Sequence, residues 1–405
     1  TTEIYTLSLH DALPIWAKSP AFPHTNTLKN GKKSAIATRE NLEALMAFYR
    51  VTVGYDVIKL RASITGVKSL AGEEENSAIA FLKSKCALHR LSLSVVDQQL
   101  NAIMTDNAVN PVLDWLQSIE RTKKHNPVEE LVEHLPLDNK AWAKVACYRW
   151  FIQCAAAADK ATQTPNKIAL PKFESVLTFY GSQGLQKTAF IRSLLPKSIK
   201  PYLKDGVLLD LSNKDSKTET LSGWIVELGE LDSTFKKSDI SALKAFLSRQ
   251  EDEIRRPYAR SASFIPRQTS FFASINEEKF LRDETGNRRY LPITITDELD
   301  TPEGFDCTDF WAFVWQEYKR GVQWWLTKEE EILQKTALAS HEDNSMEEMI
   351  RDVFDFDLTK SKRMTALEIR EALRLPPTRS NCIKIGNTLK AMGFKKKRRD
   401  FVMPP

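Results

Sequence analysis

The sequence predicts an α/β protein: a mainly parallel sheet with helices on both faces, flanked by an N-terminal α-helical region and a small basic C-terminal module. Three observations predict this. Between about residues 172 and 295, short β-rich runs (SVLTFY, GVLLD, WIVEL, SFFASI, YLPITIT) alternate with helical ones (FIRSLL, ISALKAFLSRQ), as a sheet built from crossover helices requires. The preceding stretch has apolar residues at helical spacing. Between residues 360 and 405, 13 Lys and Arg stand against 3 Asp and Glu, while the whole chain carries only +5, so the remainder is mildly acidic and a polyanion partner is expected at this end.

At 405 residues the chain is long enough for two or three domains, each with its own core. A content of 42% hydrophobic and 27% charged residues is that of an ordinary globular protein. Cys86, Cys147, Cys154, Cys307 and Cys382 form no C-x-x-C pair and are odd in number, which fits free thiols in a reducing compartment and argues against zinc and disulfides. No apolar run approaches the roughly 20 residues that span a bilayer. A cytoplasmic protein with no membrane partner is expected.

The first fifteen residues, TTEIYTLSLHDALPI, lack the basic start and small-residue cleavage site of a signal peptide. They resemble translated sequencing-adapter read-through, a loose native N-terminus being the alternative. No folded element is expected in residues 1–33. From 34 to 165 a helical domain is expected. Thr38 caps a helix whose Leu42, Leu45, Met46 and Tyr49 fall at i, i+3, i+4 and i+7, and VVDQQLNAIM and VLDWLQSIE continue the pattern. ATQTPNKIALP, residues 161–171, reads as a linker into the α/β core at 166–300.

Within that core, FYGSQGLQKTAF reads G-x-x-x-x-Q-K-T where a phosphate-binding loop asks for G-x-x-x-x-G-K-[ST]. A strand precedes it and a helix follows, which is the context the motif needs. In such a loop Gly181, Ser182, Gln183, Gly184, Leu185 and Gln186 would present backbone N–H groups to phosphates. Lys187 would reach the outer phosphate oxygens, and Thr188 would join a Mg²⁺ shell. Gln186 puts a side chain where glycine lets the backbone pass close; it either turns outward or weakens binding.

Further residues fit ATP hydrolysis. WIVELGELD would deliver Glu227 and Glu230 to the C-terminal edge of a parallel strand, one for the metal and one to polarise water, assigned in that order or the reverse. TSFFASIN ends in Asn276, suited to orient a water against the outer phosphate. TGNRRY offers Arg288 and Arg289 as an arginine finger towards a neighbouring subunit. RRPYARSASFIPR places Arg255, Arg256, Arg260 and Arg267 around Tyr258 and Phe264, which suits a loop touching nucleic acid or, alternatively, a surface loop with structural arginines.

Residues 301–358 read as a helical extension. Trp311, Trp315, Trp324 and Trp325 are expected there as core or interface anchors. In 359–405, Thr365 and Glu368 form a capping box, Pro376 and Pro377 break the helix, and SNCIKIGNTLKAMG makes a second one before a basic hairpin. This is the outline of a winged helix, with Lys384 and Lys390 on the second helix and Lys395, Lys396, Lys397, Arg398 and Arg399 on the wing. A solvated basic tail is the alternative.

GSQGLQKT, GWIVELGELD, LKAFLSRQEDEIRRPYAR, PRQTSFFASIN and FLRDETGNRRYLPI together resemble the virulence-associated protein E family of phages and mobile elements. The resemblance covers Phe173 to about Ile293 strongly and extends more loosely from about Ser34 to Glu331. It implies a P-loop (AAA+-like) ATPase core related to superfamily 3 helicases, using ATP and Mg²⁺, assembling as a homo-oligomeric ring on single-stranded or replication-origin DNA, often beside a primase. No primase-type carboxylate cluster stands in the N-terminal region, so if a primase half exists it is upstream or on another chain. The family loop usually has glycine where this chain has Gln186. A DNA-binding scaffold with an inactive ATPase site is therefore the alternative function.

Overall fold

The computed structural model describes residues 19–31, 33–69, 73–160, 172–229, 237–254, 262–276, 287–339, 345–354, 362–375, 379–394, 396–397 and 400–403. Strand pairing begins inside the segment expected to hold none: β1 (Thr25–Thr27) pairs antiparallel with β2 (Lys33–Ala35). α1 (Arg39–Phe48) opens as expected on Thr38, whose hydroxyl accepts from Asn41 N.

The region expected to be wholly helical is mixed. β3 (Thr52–Asp56) is the centre of a three-stranded sheet, with β4 (Arg61–Thr65) antiparallel on one side and β5 (Ala108–Val109) parallel on the other. α2 (Glu74–Leu88) and α3 (Ser94–Asp106) complete this unit. Strands of two to five residues carry too little alternation to stand out from the helices around them. Leu42, Leu82, Val95 and Ile103 fill the core they share.

α4 (Pro111–Ser118) and α5 (Pro127–His134) each begin with an Asn cap, Asn110 and Asn126, followed by Pro at the first helical position. α6 (Lys140–Lys160) is apolar on most of its circumference because it is buried between other elements. These three helices pack on the large sheet, and Ile58 of the N-terminal unit joins the core they share with it. Trp150 Nε1 donates to Phe271 O at 2.8 Å, and Trp224 Nε1 to Cys154 O at 2.8 Å. The boundary expected at 165/166 therefore falls within one packed unit; residues 161–171, the expected linker, lie outside the described residues.

The large sheet has five parallel strands in the order β12-β6-β11-β8-β7. In chain order they are β6 (Val176–Tyr180), β7 (Leu203–Val207), β8 (Ile225–Leu228), β11 (Ser270–Ile275) and β12 (Tyr290–Thr294). Between them run α7 (Lys187–Ser193), α8 (Lys214–Leu221), α9 (Lys237–Leu247) and the antiparallel ribbon of β9 (Glu251–Ile254) and β10 (Ser263–Pro266). The second strand was expected at GVLLD; it lies earlier, at LKDGV, and Leu208 is 60% exposed beyond its end.

Alternate residues of the strands face two cores, as the period of a strand requires. Leu177, Phe179, Phe272, Leu291 and Ile293 meet α4–α7 together with α10 (Cys307–Lys319), whereas Val176, Val226, Phe271, Ala273 and Ile275 meet α9. Trp311 is fully buried against Trp115 and Trp224, the anchoring role expected of it, while Trp325 is 55% exposed. Pro292 sits in β12, at the sheet's edge, where a missing N–H is tolerated. The outward carbonyls of that strand are all taken: Tyr290 O by Gln334 Nε2 at 2.8 Å, Pro292 O by Trp142 Nε1 at 2.6 Å and Thr294 O by Asp138 N at 3.2 Å.

α11 (Lys328–Ala339) and α12 (Ser345–Val353) follow. The chain ends in β13 (Lys362–Thr365), α13 (Ala366–Ala372), α14 (Arg379–Ala391), β14 (Lys396–Lys397) and β15 (Asp400–Met403), the strands pairing antiparallel in the order β13-β15-β14. The Thr365–Glu368 capping box forms as the spacing predicts, and Ile350, Ile369, Ile385 and Leu389 make a separate small core.

Candidate functional site

The C-terminal ends of the parallel strands bring together residues from four of them. β6 runs into the loop Gly181–Gln186, and α7 begins at Lys187. A Cβ at Gly181 would lie 2.9 Å from Ile295 O, so nothing larger than glycine fits there. Gly184 has φ +90° and open space around it. Gln186, the departure from the expected pattern, has φ +56° and ψ 23°, a left-handed conformation that glycine adopts without penalty and other residues at about 1–2 kcal/mol. Its side chain is exposed and makes no capping bond; the side chain turns outward, and the strain is in the backbone.

Lys187 is only 7% exposed. Its ammonium donates to Gly181 O at 2.6 Å, Ser182 O at 3.2 Å, Ile275 O at 3.1 Å and Asn276 Oδ1 at 2.7 Å. The loop thus closes over its own lysine, and Asn276 at the end of β11 reaches that lysine. Beside it, Glu227 Oε1 accepts from Thr188 Oγ1 at 2.6 Å and from Ser274 Oγ at 2.6 Å, while Oε2 accepts from Gly206 N at 3.1 Å. Glu227 is 5% exposed, and these donors balance its buried carboxylate.

In front of these groups lies an open cleft of about 420 Å³, lined by Gly184, Gln186, Lys187, Thr188, Arg192, Asp205 and Asn276 among others, within the usual range for small-ligand pockets. Arg192 and Asp205 form an ion pair across its wall. The described residues contain no group of three or more His, Cys, Asp or Glu able to hold a metal ion. A hydroxyl beside one carboxylate fits an ion that keeps most of its shell as water and phosphate oxygen, as Mg²⁺ does.

Four expected residues, Lys187, Thr188, Glu227 and Asn276, are therefore in one place. Two contributors were not anticipated. Ser274 is legible in hindsight, because it lies two residues before Asn276 and so shares its face of the strand. Gly206 N points at Glu227 through an irregularity in β7, where the pairing register shifts between Lys204 and Val207; no residue pattern announces it.

Arg288 is exposed, but Arg289 is engaged within its own chain: Nε donates to Ser248 Oγ at 2.7 Å and lies 3.3 Å from Glu174. Of the two, only Arg288 is placed as expected of a residue that reaches outward. Arg267, expected to touch nucleic acid, is a correction. It is 2% exposed, with Nε and Nη2 on the two Asp252 oxygens at 2.9 and 2.8 Å and Nη1 on Phe246 O at 2.6 Å. The rings of Phe246 and Phe271 pack against its plane. Burial pulls the guanidinium below its usual range while Asp252 opposes that shift. Each of its three nitrogens donates within the chain, so Arg267 anchors the β9–β10 ribbon; a basic residue in an aromatic run looks the same in sequence whichever way it turns.

Phe264 on the ribbon is 67% exposed. Glu230, Arg255, Arg256, Arg260, Lys395, Arg398 and Arg399 lie outside the described residues. Lys384 and Lys390 are on α14 and Lys396 and Lys397 on β14, with Lys390 exposed.

A family model described as the virulence-associated protein E-like domain matches residues 116–343, more than half of the chain. No curated protein matches it. Among solved structures, an apo structure of the NrS-1 C-terminal region is similar at 12% identity and TM-score 0.47, over 89% of this chain and 97% of that one. Its A form is similar at 12% identity and TM-score 0.45, over 90% and 98%.

Proposed function

Because the chain belongs to the virulence-associated protein E-like domain family, we propose that it is an ATP-hydrolysing, helicase-like or DNA-translocating protein in the replication of a phage or mobile genetic element. The observation that carries this reading is the convergence of Lys187, Thr188, Glu227 and Asn276 at one open cleft. Bound ATP with Mg²⁺ would supply the phosphoanhydride bond and the charge that polarises it. Lys187 would exchange its carbonyl partners for phosphate oxygens, Thr188 and Glu227 would hold the metal's shell, and Asn276 would orient water. Glu230 is proposed as the base, and Arg288 as the group offered to a neighbouring copy in a ring.

Arg256 and Arg260, together with Lys384, Lys390, Lys395, Lys396, Lys397, Arg398 and Arg399, are proposed to hold single-stranded or origin DNA, with a primase on another chain as partner. A helix–helix–hairpin outline with its own small core supports reading the C-terminal module as a winged helix.

One observation favours a second reading, a DNA-binding scaffold without turnover: Gln186 holds a conformation suited to glycine, and Lys187 is turned into the loop. ATP hydrolysis by the purified chain, with and without single-stranded DNA, separates the two when compared with Lys187→Ala and Gln186→Gly. Turnover lost in Lys187→Ala supports the motor. A silent wild type restored by Gln186→Gly supports the scaffold.

A further inference from the structure

Five helices end in the same hydrogen-bonded motif, in which a residue with positive φ follows the cap. At α10 and α14 that residue is glycine, Gly321 and Gly393, but at α1 and α2 it is Arg50 (φ +54°) and Arg90 (φ +59°), as it is Arg374 at α13. The α1 and α2 ends are alike bond for bond: Arg50 N and Val51 N donate to Ala47 O and Met46 O, and Arg90 N and Leu91 N donate to Ala87 O and Cys86 O. Strain kept at corresponding positions by the same charged residue asks for a use.

The two ends also lie side by side. Phe22, Phe48, Tyr49, Phe81 and His89 form a continuous ring cluster, with Tyr49–His89 centroids 5.7 Å apart, Phe48–His89 5.9 Å and Tyr49–Phe81 5.8 Å. All five rings are half-buried, not sealed into the core. The Lys85 ammonium lies over Tyr49 and Phe81 at 4.9 and 5.0 Å. Arg50 and Arg90 are exposed, and neither pairs with a carboxylate among the described residues. No acidic residue occurs between Ala44 and Tyr55 or between Asn76 and Val96, and Asp97, which reaches α2 from α3, is paired with Lys83 at 2.8 Å.

We propose that the adjoining ends of α1 and α2 form a contact surface for single-stranded DNA, with Arg50 and Arg90 on phosphates and the ring cluster beside them against bases. Unpaired guanidinium groups flanking half-buried rings match a strand that offers charge and π-faces in alternation. This surface lies before the residues that the family model matches. The inference rests on the proposed action on DNA and is independent of the nucleotide cleft.

The test titrates the full chain, without nucleotide, into fluorescein-labelled oligo(dT) of about 20 nucleotides, enough to span a site of this kind, at several salt concentrations. Arg50→Gly with Arg90→Gly relieves the backbone strain, so the melting temperature holds or rises. In the same variant binding should weaken about tenfold or more. The slope of log K against log salt should fall by about 1.4, at about 0.7 per phosphate contact on a single strand. Phe48→Leu should weaken binding with the slope unchanged. A double glycine variant that binds with wild-type affinity and slope overturns the proposal, as does a wild type that does not bind oligo(dT). Oligo(U) bound more than tenfold tighter than oligo(dT) overturns the assignment to DNA. ATP turnover, measured separately, distinguishes failure of the nucleotide reading from failure of this one.

Discussion

Two places in the large-sheet unit take charged side chains out of water, and they do so differently. At the foot of the β9–β10 ribbon, Arg267 and Asp252 share two hydrogen bonds, Nη1 donates to a carbonyl, and aromatic rings pack against the guanidinium plane. At the C-terminal edge of the sheet, Lys187 and Glu227 are nearly as buried, yet an open cleft lies in front of the loop that holds them. In the first, no ligand can replace a partner without dismantling the ribbon's attachment. In the second, the carbonyls around Lys187 and the hydroxyl on Glu227 can be exchanged for a ligand's atoms. Burial of charge alone does not mark a functional site; exchangeable partners do.

The sharpest way to break this contrast is Arg267→Ala, which leaves Asp252 charged and unpaired in the interior. It should destabilise the protein by about 3–5 kcal/mol, read from the urea midpoint, whereas Arg267→Met with Asp252→Leu should recover most of that loss. Lys187→Ala should reduce DNA-stimulated ATP turnover by about 10²-fold or more, with stability changed by no more than about 1 kcal/mol, since water from the cleft reaches the vacated carbonyls. Equal stability losses in Arg267→Ala and Lys187→Ala would erase the distinction. Gln186→Gly should stabilise by about 1 kcal/mol by relieving the left-handed backbone, seen as a later urea midpoint.

The smallest effect expected is chemical. Burial pushes the Cys86 thiol up to about 11 and the Cys147 thiol up to about 12, and it raises Cys154 as well. Their thiolates are therefore absent at neutral pH and stay absent as pH rises to 9. Iodoacetamide should modify the half-exposed Cys307 and Cys382 first, with the other three reacting only on unfolding, as peptide mass mapping would show.

How much of this was legible follows from how far apart the cooperating residues lie in sequence. Four of the five strands of the large sheet announce themselves as apolar runs because both faces are covered; β7, LKDGV, does not. Lys187, Thr188, Glu227 and Asn276 could be placed together because parallel strands bring their C-terminal ends to one edge. The inward turn of Arg267 onto Asp252 is not legible, since it depends on how the ribbon folds back onto α9. The N-terminal sheet escaped notice because β5 is two residues long and β3 and β4 five each. Gln186 was read as a mismatch of side chain, whereas the structure makes it one of backbone angle.

The outward carbonyls of β12 have a consequence for handling and for life in a crowded cell. Gln334, Trp142 and the Asp138 amide occupy each of them, and at the opposite border β7 breaks its own regularity near Gly206. A foreign strand finds no ready row of acceptors at the first border and no straight template at the second. The five-stranded sheet is thereby guarded against runaway edge-to-edge aggregation, and copies of this chain that assemble do so without extending that sheet.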